Sequence, residues 1–265
     1  MDLVKMAKFS RIAYKSDIRI REELKKMNYE DVLGNIFCVQ TFSIDGLKCF
    51  ITHKDGETII AIRGSDNLKN WMKNFDIGKL QLAQGRVHGG FLKNAEKLYK
   101  QIKDHIDYRD RIYLTGHSLG GALAMLIANF LFEDFRDVRG VAAFESPNIS
   151  DKRYIKNTEN YKFERVMFKN NIDLITKIPP FFMEYYNYNC DLVYFNKDNL
   201  AIINPSNTTI LLDRFKTYIN PYNWIELAED HLMDNILSLV LKNKDIIERI
   251  DEIGKWNNTN GWRNI

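Results

Sequence analysis

The sequence predicts an α/β protein with a mainly parallel central sheet and helices on both faces. Three observations carry that expectation. Strand-like apolar runs alternate with helical patterns along the chain. One run, residues 111–115, passes through a glycine-flanked serine straight into an Ala- and Leu-rich helical stretch. No linker, repeat or low-complexity segment divides the 265 residues, so one domain over residues 1–265 is expected. Hydrophobic residues make up 45% and charged residues 28%, enough for a sizeable core.

Residues 2–31 read as one or two helices. Leu3, Met6, Phe9 and Ala13 fall at helical spacing, and Ile20, Leu24 and Met27 resume it. Residues 36–43 and 47–53 form a hairpin around Asp45-Gly46, and residues 58–63 add a third strand. That strand ends in the polar loop Gly64-Ser65-Asp66-Asn67. Leu68, Trp71, Met72 and Phe75 then recur at i, i+3, i+4 and i+7, the stripe of a short amphipathic helix. Its apolar face either joins the core or covers an apolar site as a lid. A loop or strand end over residues 86–91 leads into a charged helix from residue 92 to about 106. Residues 111–115 are a buried strand and 122–135 a helix. Strands follow at 138–144 and 163–168, with shorter ones at 192–195, 200–203 and 208–212. Asp230-His231-Leu232 precedes a C-terminal helical region running to about Gly254.

Gly116-His117-Ser118-Leu119-Gly120 is a G-x-S-x-G between a strand and a helix, which reads as a nucleophile elbow. The glycines let strand and helix pass closely, and the turn presents the Ser118 hydroxyl. A serine hydroxyl is a poor nucleophile at neutral pH. It needs a histidine to take its proton and an acid to fix that ring. In α/β-hydrolases the order along the chain is Ser, then acid, then His. Of His53, His88, His105, His117 and His231, only His231 follows Ser118, which makes it the expected base. Asp173 is the best-placed acid, in a short polar loop after a strand, with Asp151, Asp191 and Asp213 as alternatives. The oxyanion hole needs two donors. The Leu119 N–H is one, and Ser65, after an early strand, is the candidate for the other.

A net charge of +3 is too small to argue for nucleic acid and permits only weak attraction to an anionic membrane. No apolar run approaches the roughly 18–20 residues of a membrane span. The N-terminus lacks the apolar core of a secretory signal, so the expected location is cytoplasmic unless the sequence is a mature form. Cys38, Cys49 and Cys190 are odd in number and scattered. In the hairpin Cys49 falls opposite Phe42, so three free thiols in a reducing compartment are expected. No Cys/His spacing fits zinc, and neither metal nor cofactor is expected.

Taken together, the motifs resemble the class 3 lipases, the fungal-lipase-like branch of the α/β-hydrolase fold. The resemblance rests on Ile62-Arg63-Gly64-Ser65 with Asn70-Trp71, Val87-His88-Gly89-Gly90-Phe91 and the elbow from Leu114 to Ala124. Phe144-Glu145-Ser146-Pro147, Arg165-Val166 with Asp173 to Pro179, and Asp230-His231 follow in the same order. It implies Ser118, Asp173 and His231 as triad, Ser65 and Leu119 as oxyanion hole, the helix at 66–75 as lid, and His88 as a structural residue. It also implies a lipid-ester substrate, attacked through an acyl-enzyme, and transient contact with a membrane or lipid-droplet surface. The alternatives are a small-ester esterase or thioesterase without interfacial activation, and a non-catalytic lipid-binding module. Oligomeric state stays open. Glu145 stands where the family usually has glycine, and Asn148-Ile149 where Arg-Val usually follows the proline.

Overall fold

The strands of a computed structural model bear out the α/β expectation. It describes residues 1–29, 39–65, 78–171, 173, 175–177, 179, 183–187, 190–218 and 232–253. In chain order the strands are β1 (Gln40–Ile44), β2 (Leu47–Lys54), β3 (Glu57–Ile62), β4 (Lys79–Gln81), β5 (Arg86–His88), β6 (Arg111–His117), β7 (Val138–Phe144), β8 (Glu164–Asn170), β9 (Asp191–Phe195) and β10 (Ala201–Ile203). The helices are α1 (Leu3–Ile12), α2 (Asp17–Lys26), α3 (Gly89–Ile102), α4 (Leu119–Glu133), α5 (Lys152–Thr158), α6 (Asn207–Tyr218), α7 (Met233–Lys242) and α8 (Lys244–Ile253). The main sheet runs β1-β2-β3-β6-β7-β8-β9-β10. From β3 to β9 neighbouring strands are parallel, and antiparallel pairs close both ends.

Residues of the central strands are buried on both faces, which is why their sequences are near-continuous apolar runs rather than alternating ones. Ile60, Ile62, Ile112, Leu114, Val141 and Ala143 point to one core, shared with α3 and α4. Ile59, Ala61, Ala142, Phe144, Val166 and Phe168 point to the other, shared with α1, α2, α7 and α8. Thr115 also faces this side, where its hydroxyl donates to the carbonyls of Met6 and Ala142. Helix starts follow capping chemistry. Asp2, Ser16 and Asp151 side chains accept the N–H groups of Lys5, Arg19 and Tyr154.

Several boundaries differ from the sequence reading. Residues 208–212, expected as a strand, lie within helix α6. The Ser206 hydroxyl accepts the Thr209 N–H at 3.1 Å, and that cap outweighs the β-branched preference of Thr208, Thr209 and Ile210. The charged helix starts at Gly89, not 92, because the His88 side chain caps it. The C-terminal helical region breaks at Asn243, whose side chain binds Leu239 O, Asn199 O and Ala201 N. The loop or strand end expected at 86–91 holds strand β5, while helix α5 and strand β4 lie where no element is expected. Among the described residues no helix is long and apolar enough to cross a membrane.

Phe168 anchors the second core. It is fully buried and stacks on Phe144 at 4.5 Å and on Phe195 at 6.2 Å. Phe168→Ala is expected to lose about 3–5 kcal/mol of stability. Urea denaturation reads this as a fall in midpoint with little change in slope. A loss below about 1 kcal/mol would show that this side of the sheet contributes little.

Candidate active site

The parallel strands bring their carboxyl ends to one edge. Ile62 pairs with Gly116, His117 with Phe144, and Phe144 with Phe168. Ser118 follows β6 at this edge with φ 54 and ψ −127, a region sparsely used by residues with a side chain. Such a conformation costs on the order of 1–3 kcal/mol and persists only when its surroundings over-determine it. Here the Ser118 N–H donates to Phe144 O at 2.8 Å, and its carbonyl accepts from Gly121 and Ala122 at 3.0 and 3.3 Å. The glycines do what the motif demands. A Cβ on Gly120 would collide with the carbonyl of Ile62, and one on Gly116 with the backbone of Gly120.

Leu119 opens α4, so its N–H is among the groups with no acceptor inside the helix. The helix dipole adds partial positive charge at the same point. Ser65 follows β3, the strand beside β6. The two loops touch. A Cβ on Gly64 would lie 2.7 Å from His117 O and 3.3 Å from Ser118 Cβ. Ser65 and Leu119 therefore approach Ser118 from adjacent strand ends.

Asp173 lies three residues past β8 and is 1% exposed. Its Oδ1 accepts the Ile175 N–H at 2.8 Å and its carbonyl accepts the Thr176 hydroxyl at 3.0 Å. The loop before it is clamped from two sides. Tyr194 donates to Asn171 Oδ1 at 3.2 Å, and Arg214 of α6 donates to Asn171 O at 2.8 Å. β8 is two strands from β6, a separation of roughly 10 Å. Beside the loop, loss of solvation pulls the Lys169 ammonium below the ordinary lysine range. The alternative acids have other work. Asp151 caps α5 and pairs with Arg86. Asp213 accepts from Tyr194 and the Lys197 N–H. Asp191 binds Asn204, and burial pushes its carboxyl upward.

His231 and the lid candidates Leu68, Trp71, Met72 and Phe75 lie outside the described residues. His88 is 2% exposed, accepts the Phe91 N–H and stacks on the Phe91 ring at 4.0 Å. It sits at the start of α3 as that helix's N-cap. Cys49 and Cys190 are free thiols, and burial pushes Cys190 up to about 11, which disfavours its thiolate. Cys38 is outside the described residues. The sequence reading missed the partners of His117. Its Nδ1 meets the Tyr14 hydroxyl at 2.7 Å and its Nε2 meets Glu145 Oε2 at 3.4 Å. The only signals were a histidine inside the elbow motif and a glutamate in a glycine's usual place.

Comparison with known proteins bears on the family and the fold. Residues 59–183 match the family described as Lipase (class 3). The chain is 37% identical over 87 residues to the secreted mono- and diacylglycerol lipase 1 of Fusarium solani, covering 29% of this chain and 26% of that protein. It is 26% identical over 180 residues to the chloroplastic phospholipase A(1) DAD1 of Arabidopsis thaliana, covering 65% and 39%. It thus spans well under half the length of either relative. In fold it is similar to the lipase from Rhizopus microsporus var. chinensis, with a TM-score of 0.60 at 16% identity over 72% of this chain and 74% of that one. The fold is that of the α/β-hydrolases.

Proposed function

Residues 59–183 belong to the class 3 lipase family, and from that premise we propose that the chain is a serine carboxylester hydrolase acting on lipid esters. Ser118 attacks the ester carbonyl while His231 takes its proton, and Asp173 fixes the imidazole and stabilises its charged form. The Leu119 and Ser65 N–H groups hold the oxyanion. The acyl-enzyme is then hydrolysed by water that His231 activates in turn. The observation that carries this reading is the strained Ser118 backbone, held at the sheet edge against the Ser65 loop. A passive strand-to-helix turn has no need of that cost.

Two further features support the reading. Asp234, three residues after His231, pairs with Arg11 near the end of α1. Tyr14, just past that helix, reaches His117 beside the nucleophile. The C-terminal helix that follows His231 is thus tied to α1, which packs on β6 below the elbow. The stripe Leu68, Trp71, Met72 and Phe75 is the proposed lid, opening against a membrane or lipid-droplet surface. The free thiols Cys49 and Cys190 suit a reducing, intracellular compartment.

The test is a panel of acylglycerols and phospholipids of varied chain length, assayed below and above the micelle concentration. A lipid hydrolase with a lid is expected to show several-fold higher rates once aggregates form. Equal rates on monomeric and aggregated esters would remove the lid from the proposal. Turnover of short esters alone would replace lipids with small esters as the substrate.

A further inference from the structure

Position 145 carries two costs that a glycine there would avoid. Glu145 has φ 49, in the left-handed region that disfavours side chains, and it is 0% exposed. A buried carboxyl group also loses its hydration and must be compensated by its neighbours. Both costs fall at the end of β7, directly after Phe144, whose carbonyl holds the Ser118 N–H. The Glu145 N–H itself donates to Phe168 O at 2.8 Å, tying this turn to β8.

What the side chain reaches explains the expense. Glu145 Oε2 lies 3.4 Å from His117 Nε2, and the opposite ring nitrogen lies 2.7 Å from the Tyr14 hydroxyl. That hydroxyl presses against Gly64, so closely that a Cβ on the glycine would collide with it. The chain of contacts runs from the β7 end through the residue before the nucleophile, then onto the loop that carries Ser65. It spans both halves of the catalytic edge, from the elbow to the oxyanion loop.

Resting on the hydrolase reading above, we propose that Glu145 is a positioning residue for catalysis. Its carboxylate accepts the His117 Nε2–H and fixes the ring. The fixed ring sets the Tyr14 hydroxyl through Nδ1, and this train holds the Ser118 backbone and the Ser65 N–H in register. Glu145 touches no reacting atom. It acts through His117 and Tyr14, and misplacement of reacting groups by about 1 Å can cost on the order of a hundred-fold in turnover.

Two variants of similar side-chain volume separate this role from packing. Glu145→Gln keeps an oxygen that accepts the His117 N–H, and Glu145→Met does not. On a short soluble ester, Glu145→Gln is expected to keep kcat within about three-fold of wild type. Glu145→Met is expected to lose about ten-fold or more in kcat with KM unchanged. Equal kcat in the two variants, both fast or both slow, overturns the assignment. Should Glu145→Met fail to fold, Tyr14→Phe carries the test, since it removes only the hydroxyl. A several-fold lower kcat at unchanged KM is then expected, and wild-type kcat overturns the assignment. A wild type inert to a fluorophosphonate probe sinks the hydrolase reading and this role with it. A reactive wild type with equal variants sinks this role alone.

Discussion

Ser118→Ala is expected to lower kcat about 10⁶-fold and to abolish fluorophosphonate labelling, while the fold is kept. At about 1.4 kcal/mol for each factor of ten, that is roughly 8 kcal/mol of lost transition-state stabilisation. Alanine retains the Cβ, so the strained φ of 54 and the contacts of the elbow are unchanged. Only the hydroxyl is lost, and with it the atom that forms the acyl-enzyme. The thermal midpoint should therefore move by no more than a few degrees. His231→Ala should cost about as much as Ser118→Ala, and the double variant no more than either, because nucleophile and base act as one unit. The residual rate, roughly 10³–10⁴ above water, would come from the oxyanion donors and binding. Ser118→Ala retaining more than a few per cent of wild-type turnover would place the nucleophile elsewhere.

The elbow was legible because its signals are local. A strand, two glycines and a run of helix formers sit within one short window, and each glycine is required by a backbone approach. The hairpin register, with Phe42 opposite Cys49, followed from Asp45-Gly46 in the same way. Helix α5 escaped because it is a single short segment with few apolar positions, and its start depends on the Asp151 cap. Helix α6 is hard to see in the sequence because the β-branched run Thr208, Thr209 and Ile210 points to a strand, while the Ser206 cap that starts the helix is a single residue. Asp173 could be chosen from its place after a strand, yet nothing nearby in sequence announced the clamp on its loop. Tyr194 and Arg214 act on Asn171 from 23 and 43 residues away. The Glu145, His117 and Tyr14 chain joins residues separated by 28 and 103 positions, and no periodicity records such a contact.

Asp173→Asn is the second large effect, expected to lower kcat about 10⁴-fold with little change in stability. Asparagine keeps an oxygen that accepts the Ile175 N–H, so the turn after β8 survives. What it lacks is a second acceptor for the imidazole. Its amide nitrogen donates instead, favours the wrong ring tautomer and gives no stabilisation to the imidazolium. The rival carboxylates provide the control. Asp151, Asp191 and Asp213 already serve Tyr154 and Arg86, Asn204, and Tyr194 with Lys197. Their asparagine variants should stay within a few-fold of wild-type kcat, even where stability falls. The contrast is decisive because all four changes are isosteric and remove one negative charge. A ten-thousand-fold loss at one of the three, with Asp173→Asn near wild type, would move the acid to that residue. It would also leave the burial of Asp173 as a matter of the turn alone.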